Sequence, residues 1–162
     1  MKKLLILFAI LTILINSKSF SEIEIKKIKS KNIEIIKFQA PDRNFPNNDD
    51  ILAQIHFPKN TNKKLSLIIH QHGSTRDGFK FKKWGGKTDE WGRRLIDKAI
   101  EKGYAVALLD TFYKRKLKPT DKEKFPNAVL AALELSYILS QDERFNKSKI
   151  FYTGFSYGAS NV

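Results

Sequence analysis

The chain has 162 residues, enough for one domain of ordinary size, and 41% of them are hydrophobic, with twelve Phe and two Trp. That composition supplies a packed core and excludes a disordered chain. The net charge is +13; Lys outnumbers Arg 24 to 6 and is spread along the chain, not gathered with aromatics in a stripe, which argues against a nucleic-acid-binding surface.

Lys2 and Lys3 precede an apolar run from Leu4 to Leu11 that continues through Thr12 to Ile15, and small residues follow at Ser17, Ser19 and Ser21. This is the order of a cleavable secretory leader, residues 1–21, with cleavage after Ser19 or Ser21. The apolar run is short of the ~20 residues that span a bilayer, so no stable membrane span is expected after cleavage, and the mature chain is expected to be periplasmic or secreted. Removing Lys2, Lys3 and Lys18 takes the charge from +13 to +10. There is no Cys, so stability rests on packing and not on disulfides.

Residues 22–38 alternate apolar and charged side chains, predicting half-buried strands with a turn at Ser30-Lys31-Asn32. Residues 40–50 read as loop, and Ile51 to Phe57 as a further strand closed by Pro58. Leu65 to Ile69 is a compact apolar run suited to a strand buried on both faces. Gly73 to Gly86 reads as loop. Trp91, Leu95, Ile96, Ala99 and Ile100 recur at helical spacing, with Thr88 or Asp89 as the N-cap and Gly103 at the end. Tyr104 to Leu109 is a second buried strand closed by Asp110. Pro126 suits the first turn of a second helix, with Leu130, Leu133, Tyr137 and Ile138 as its apolar face. Lys149 to Thr153 is a third buried strand. The expected class is α/β: a mostly parallel sheet with antiparallel N-terminal strands and helices on both faces, one domain over residues 22–162.

That strand runs into Gly154-Phe155-Ser156-Tyr157-Gly158. Gly-x-Ser-x-Gly after a strand is the pattern of a nucleophile elbow, a sharp strand-to-helix turn that lifts a serine hydroxyl clear of the sheet. Ser156 is the candidate nucleophile, Gly154 and Gly158 leave room for neighbouring backbone, and the N–H of Tyr157 is one candidate oxyanion donor. An ordinary turn with Ser156 as a helix cap is the plainer alternative. His70-Gln71-His72-Gly73-Ser74 ends the first buried strand, and a His-Gly turn there can aim the N–H of Ser74 or Thr75 at the same point, which makes two donors and an oxyanion hole. His70 and His72 with one of the acids could instead form a metal site, but two His without a third ligand are thin support, and no metal or cofactor is expected. His72 is read as a structural hydrogen-bonder and Asp110 as a loop-organising carboxylate. Phe79, Phe81, Trp84, Phe112 and Tyr113 line a pocket, or belong to a lid or the core.

Leu67 to Ser74, Trp91 with Lys102 to Phe112, and Lys149 to Ala159 together resemble the alpha/beta-hydrolase superfamily, and within it the dienelactone-hydrolase-like branch. The resemblance covers roughly residues 50–162. It implies hydrolysis of small-molecule esters, lactones or related carboxylic derivatives through a nucleophile–acid–His triad without a cofactor. Dienelactone hydrolases carry Cys at the elbow; Ser156 favours a serine esterase. The family order places the acid and the His after the nucleophile, whereas His56, His70 and His72 all precede Ser156. The reading is therefore of the N-terminal part of a longer enzyme, inactive by itself. The alternatives are a non-catalytic basic periplasmic binding or surface protein on the same fold, and a peptidase or acyltransferase. The sequence leaves the oligomeric state open.

Overall fold

A computed structural model describes residues 24–28, 32–46, 50–59, 63–76, 79–81 and 86–161. The leader and its cleavage sites lie outside the described residues, as do Trp84 and the side chain of Phe79.

Six strands form one sheet: β1 (Glu24–Ile28), β2 (Ile33–Phe38), β3 (Ile51–His56), β4 (Leu65–Gln71), β7 (Ala105–Asp110) and β8 (Phe145–Gly154), in the order β1-β2-β3-β7-β4-β8. The first three run antiparallel to their neighbours, and β3 also meets β7 antiparallel. β4 pairs in parallel with β7 on one side and β8 on the other. The expected switch from antiparallel to parallel pairing therefore falls at β7, which pairs antiparallel with β3 and parallel with β4. Two short strands pair with each other: β5 (Phe79–Lys80), inside the stretch read from sequence as loop, and β6 (Lys87–Thr88), just after it.

Both helices lie where the βα alternation puts them, one on each face. α1 (Glu90–Glu101) starts at Asp89, whose carboxylate accepts from Gly92 N at 2.8 Å, one of the orphan donors of a helix start. It ends at Gly103, whose φ of +81° is the left-handed conformation that glycine adopts without strain. Ala99 packs with Ile35, Leu52, Val106 and Leu108 on this face. α2 (Ala128–Ser140) is capped by Asn127, with Pro126 just outside the helix and not in its first turn. Ala131, Ala132, Leu135 and Leu139 close the other face over Ile36, Ala53, Ile55, Leu67, Ile69, Ala107 and Leu109. β7 is buried along its whole length because its alternate residues feed both layers. Each fully buried Leu or Ile contributes about 1.5–3 kcal/mol relative to exposure.

The apolar face of α2 differs from the expected one. Leu133 and Tyr137 are 60% and 55% exposed, and Leu130 is exposed too; only Ile138 of the expected set packs on the core. α2 carries apolar residues on every side, so its periodicity does not name a face, and the small Ala131 and Ala132 let the helix sit close to the sheet. Trp91, the first residue of the helical repeat read for α1, is also exposed.

Arg144, in the turn before β8, forms paired hydrogen bonds with Glu34 of β2 at 2.8 and 2.7 Å and lies over the Phe57 ring. It joins the N-terminal strands to the start of β8.

Candidate active site

The carboxyl ends of the parallel strands define one edge. Gln71 pairs with Leu109 and with Gly154. His72-Gly73, Asp110-Thr111 and Phe155-Ser156 therefore leave the sheet side by side, at the edge where ligands of open α/β sheets bind.

Ser156 follows β8 by two residues and opens a 3-10 helix, Ser156–Asn161. Its φ is +50°, a left-handed conformation that costs an L-residue roughly 1–2 kcal/mol. Two close approaches enforce the turn. A Cβ on Gly154 would overlap the carbonyl of Gly158, and a Cβ on Gly158 would overlap Gln71 O. Phe155 N donates to Gln71 O at 3.2 Å and Gly158 N donates to Phe155 O at 2.9 Å. The side chain of Tyr157 donates to Pro126 O and packs edge-on against Phe125, with ring centroids 4.9 Å apart. Burial raises the Tyr157 phenol above its ordinary pKa.

The His72-Gly73 turn lies against the elbow. A Cβ built on Gly73 would stand 3.5 Å from Ser156 Cβ and 3.1 Å from Phe155 Cδ1. Ser74, the proposed donor, is half-buried beside it. His72 is fully buried: Nδ1 donates to Gly73 O, and Nε2 stands 3.5 Å from Asp110 Oδ1. Nδ1 is thus committed to Gly73 O, and Nε2 faces Asp110 without a hydrogen bond in place. In a trans peptide the C=O and the next N–H point in opposite directions. By holding Gly73 O, His72 fixes the plane of the peptide that carries the Ser74 N–H.

Asp110 organises this end of the sheet. Its carboxylate accepts from Arg76 Nη1 at 2.6 and 2.8 Å, from Lys87 N at 2.7 Å and from Phe112 N at 3.0 Å. Burial opposes its charge, but the hydrogen bond and charge of His72, the Arg76 guanidinium and the Lys87 N–H outweigh burial and hold its pKa below the ordinary carboxylate value. Phe81, Phe112 and Tyr113 are buried core residues; Phe112 packs edge-on against His72 and lies under Arg76.

Asp89 does more than cap α1. Its Oδ2 accepts from Gly73 N at 2.7 Å, and its Oδ1 accepts from His70 Nε2 at 3.0 Å as well as from Gly92 N. Burial works against the charge here too, and the three donors together depress the pKa. Gly92 makes room for this arrangement, since a Cβ there would come within 2.7 Å of His70 Cδ2. His70 and His72 therefore serve different partners, and among the described residues no cluster of three or more His, Cys, Asp or Glu could hold a metal ion. The sequence reading missed the second role of Asp89 and the whole of Arg76. The available signal was stoichiometric: a cap uses one carboxylate oxygen and leaves another to be satisfied, and a buried Asp110 needs a cation.

His56 lies at the opposite end of the sheet, where β3 leaves β7. An open cavity of about 410 Å³ there is lined by Asn32, His56, Phe57, Lys59, Ile96, Asp97, Ile100 and Glu101. Beside the elbow, Trp91 and Phe155 form an exposed ring pair with centroids 5.4 Å apart. Among the described residues no helix is long and apolar enough to cross a membrane.

No family model matches the sequence, and no curated protein matches it. Solved structures do match the fold. An acetyl xylan esterase from Paenibacillus sp. R4 superposes with a TM-score of 0.56 at 13% identity, over 91% of this chain and 49% of that one. A glucuronoyl esterase from Solibacter usitatus gives 0.53 at 16% identity, over 84% and 46%. The chain spans about half the length of these esterases. The order of strands, the helix on each face and these superpositions agree that the fold of this chain is that of the alpha/beta-hydrolases.

Proposed function

We propose that the chain belongs to an exported serine hydrolase of carboxylic esters or lactones, with Ser156 as nucleophile and the N–H groups of Tyr157 and Ser74 as the oxyanion hole. The observation that carries this reading is the φ of +50° at Ser156. Strain at a non-glycine residue persists only where the surroundings over-determine it, and it clusters at functional sites. A helix cap has no need of it, because caps take extended backbone. The neighbouring His72-Gly73 turn and the esterase names of the superposed structures point the same way. The finer placement near the dienelactone-hydrolase-like branch rests on the sequence motifs alone.

In this mechanism the Ser156 hydroxyl attacks the ester carbonyl, and the carbonyl oxygen gathers negative charge between the two backbone donors. Each such donor is worth ~10²–10³ in rate. A base must take the hydroxyl proton. His72 is committed to Gly73 O and faces Asp110, His70 is committed to Asp89, and His56 stands at the other end of the sheet. The His of the triad is therefore supplied from outside these residues, and the chain by itself is a poor catalyst. The substrate is a small ester or lactone, with no nucleic acid and no cofactor in the reaction.

The test is active-site labelling. A fluorophosphonate probe is expected to modify a protein in which the triad is complete at Ser156, and Ser156→Ala is expected to abolish the modification. Undiminished labelling of that variant would show that another residue, or no specific residue, reacts.

A further inference from the structure

We infer that Asp89 is a positioning residue for the oxyanion turn, holding the Gly73 amide and through it the peptide that presents the Ser74 N–H. The inference rests on the hydrolase reading above and assigns a role to a carboxylate that the triad does not use.

Two consecutive peptide units make up the turn, and each is held by a separate anchor. Asp89 Oδ2 accepts from Gly73 N at 2.7 Å, which fixes the unit between His72 and Gly73. His72 Nδ1 donates to Gly73 O, which fixes the unit between Gly73 and Ser74. Without the first anchor the second has a free hinge at its N-terminal end. Asp89 is itself immobile: it is 3% exposed, and its other oxygen is held by Gly92 N and His70 Nε2. The carboxylate thus ties the turn to the first turn of α1 and to β4 at once. This rigidity is what an oxyanion hole requires, because its donors must already point at the reacting oxygen before charge develops. The Gly73 N–H is consumed in the process, so the donor offered to substrate comes from Ser74 onward.

Asp89→Asn separates positioning from capping. Asn and Asp are equal N-caps, so a retained Oδ1 keeps Gly92 and His70. The amide NH₂ then replaces Oδ2 and faces the Gly73 N–H, donor against donor. The 162-residue chain suits the assay. With no base acting on Ser156, any turnover above background comes from binding and the oxyanion hole, a contribution of ~10³–10⁴ in triad-deleted serine hydrolases. Hydrolysis of p-nitrophenyl acetate by the chain, measured over the uncatalysed rate, is expected to fall at least tenfold in kcat for Asp89→Asn, with KM within twofold and the variant still folded, its melting temperature lowered by the loss of one buried hydrogen bond. Asp89→Ser, which also caps, is expected to lose as much. Independently of any variant, an NMR titration of the wild-type chain is expected to move the Gly73 and Gly92 amide protons together as Asp89 is protonated. An unchanged kcat in Asp89→Asn overturns the positioning role, as does a Gly73 amide that ignores the titration. Undiminished fluorophosphonate labelling of Ser156→Ala overturns the nucleophile reading, on which the positioning role rests.

Discussion

Gly158 rests on the carbonyl of Gln71: a Cβ at position 158 would overlap Gln71 O and come within 2.9 Å of its carbonyl carbon. The contact is backbone on backbone. The elbow packs on the end of β4, the strand that also carries the His72-Gly73 turn. Neither side can yield by changing a rotamer, so Gly158→Ala must displace the turn or the strand end. Overpacking of this kind costs typically 1–3 kcal/mol, occasionally more. Urea denaturation of Gly158→Ala is expected to show a loss of about 2–3 kcal/mol. A loss under about 0.5 kcal/mol, the range of neutral surface changes, would mean that the elbow does not pack against Gln71.

Ser156 stores strain that glycine does not feel. Relative to Ser156→Ala, Ser156→Gly relieves the left-handed φ, and the difference between the two variants is expected to be about 1 kcal/mol in favour of glycine. Both remove the hydroxyl, so the comparison isolates the backbone. Thermal unfolding of the pair decides it, and equal stability would remove the main support for an over-determined turn.

His56 predicts a pH dependence near neutrality. Its Nε2 accepts from Gln54 Nε2 at 2.8 Å, so a second ring proton would face an N–H donor. Burial lowers its pKa from 6.5 to about 4, against a weaker opposite pull from Asp97. The folded pKa lies below the unfolded one, so the unfolded chain binds the proton first. Stability is fully present above pH 6.5 and falls as the pH drops from there to about 4. The loss over that window is roughly 3 kcal/mol. Denaturation curves between pH 7 and 4 are expected to show the fall in the wild-type chain and to flatten in His56→Leu.

Asp110 acts at more acid pH. Its pKa is depressed below 3.8, so its contribution is complete above the ordinary Asp value and disappears as the pH falls through the lower folded value. Asp110→Asn removes that component and leaves Arg76 and His72 without their carboxylate. Breaking a buried pair from one side costs about 3–5 kcal/mol, and the partial exposure of Arg76 places the expected loss near the lower figure. Equilibrium unfolding at pH 7 checks the loss, and a variant as stable as the wild type would refute the organising role.

Much of the architecture was legible from period and punctuation. Leu65–Ile69 and Tyr104–Leu109 fall within or at the margin of observed strands, because buried parallel strands read as continuous apolar runs; Lys149–Thr153 also falls on a strand, but β8 is the edge of the sheet and is not buried as read, with Phe151 half exposed. Asp89 and Gly103 bounded α1 through local backbone chemistry that needs no tertiary context. β8 began four residues earlier than read, at Phe145, because Asn146, Lys147 and Ser148 are polar and the pairing that recruits that region lies in β4, eighty residues away. The face of α2 was misread for a related reason: a helix of Leu, Ala and Val offers several faces, and the sheet selects the one with small residues. At the site, Ser156, Gly154, Gly158 and His72-Gly73 were visible as a short motif and a turn. Arg76 and the second oxygen of Asp89 were not, since their roles exist only once separate loops converge.

The strand order has a consequence for how the protein is made. β4 emerges from the ribosome with residues 65–71, but the neighbour on its outer side is β8, residues 145–154. During synthesis of the intervening chain β4 must wait with its outer flank unsatisfied, and the turn that follows it lacks the elbow that packs against it. Pairings between distant segments form slowly, and unpaired strand flanks invite association in the meantime. Expression yield is therefore expected to depend on chaperone supply.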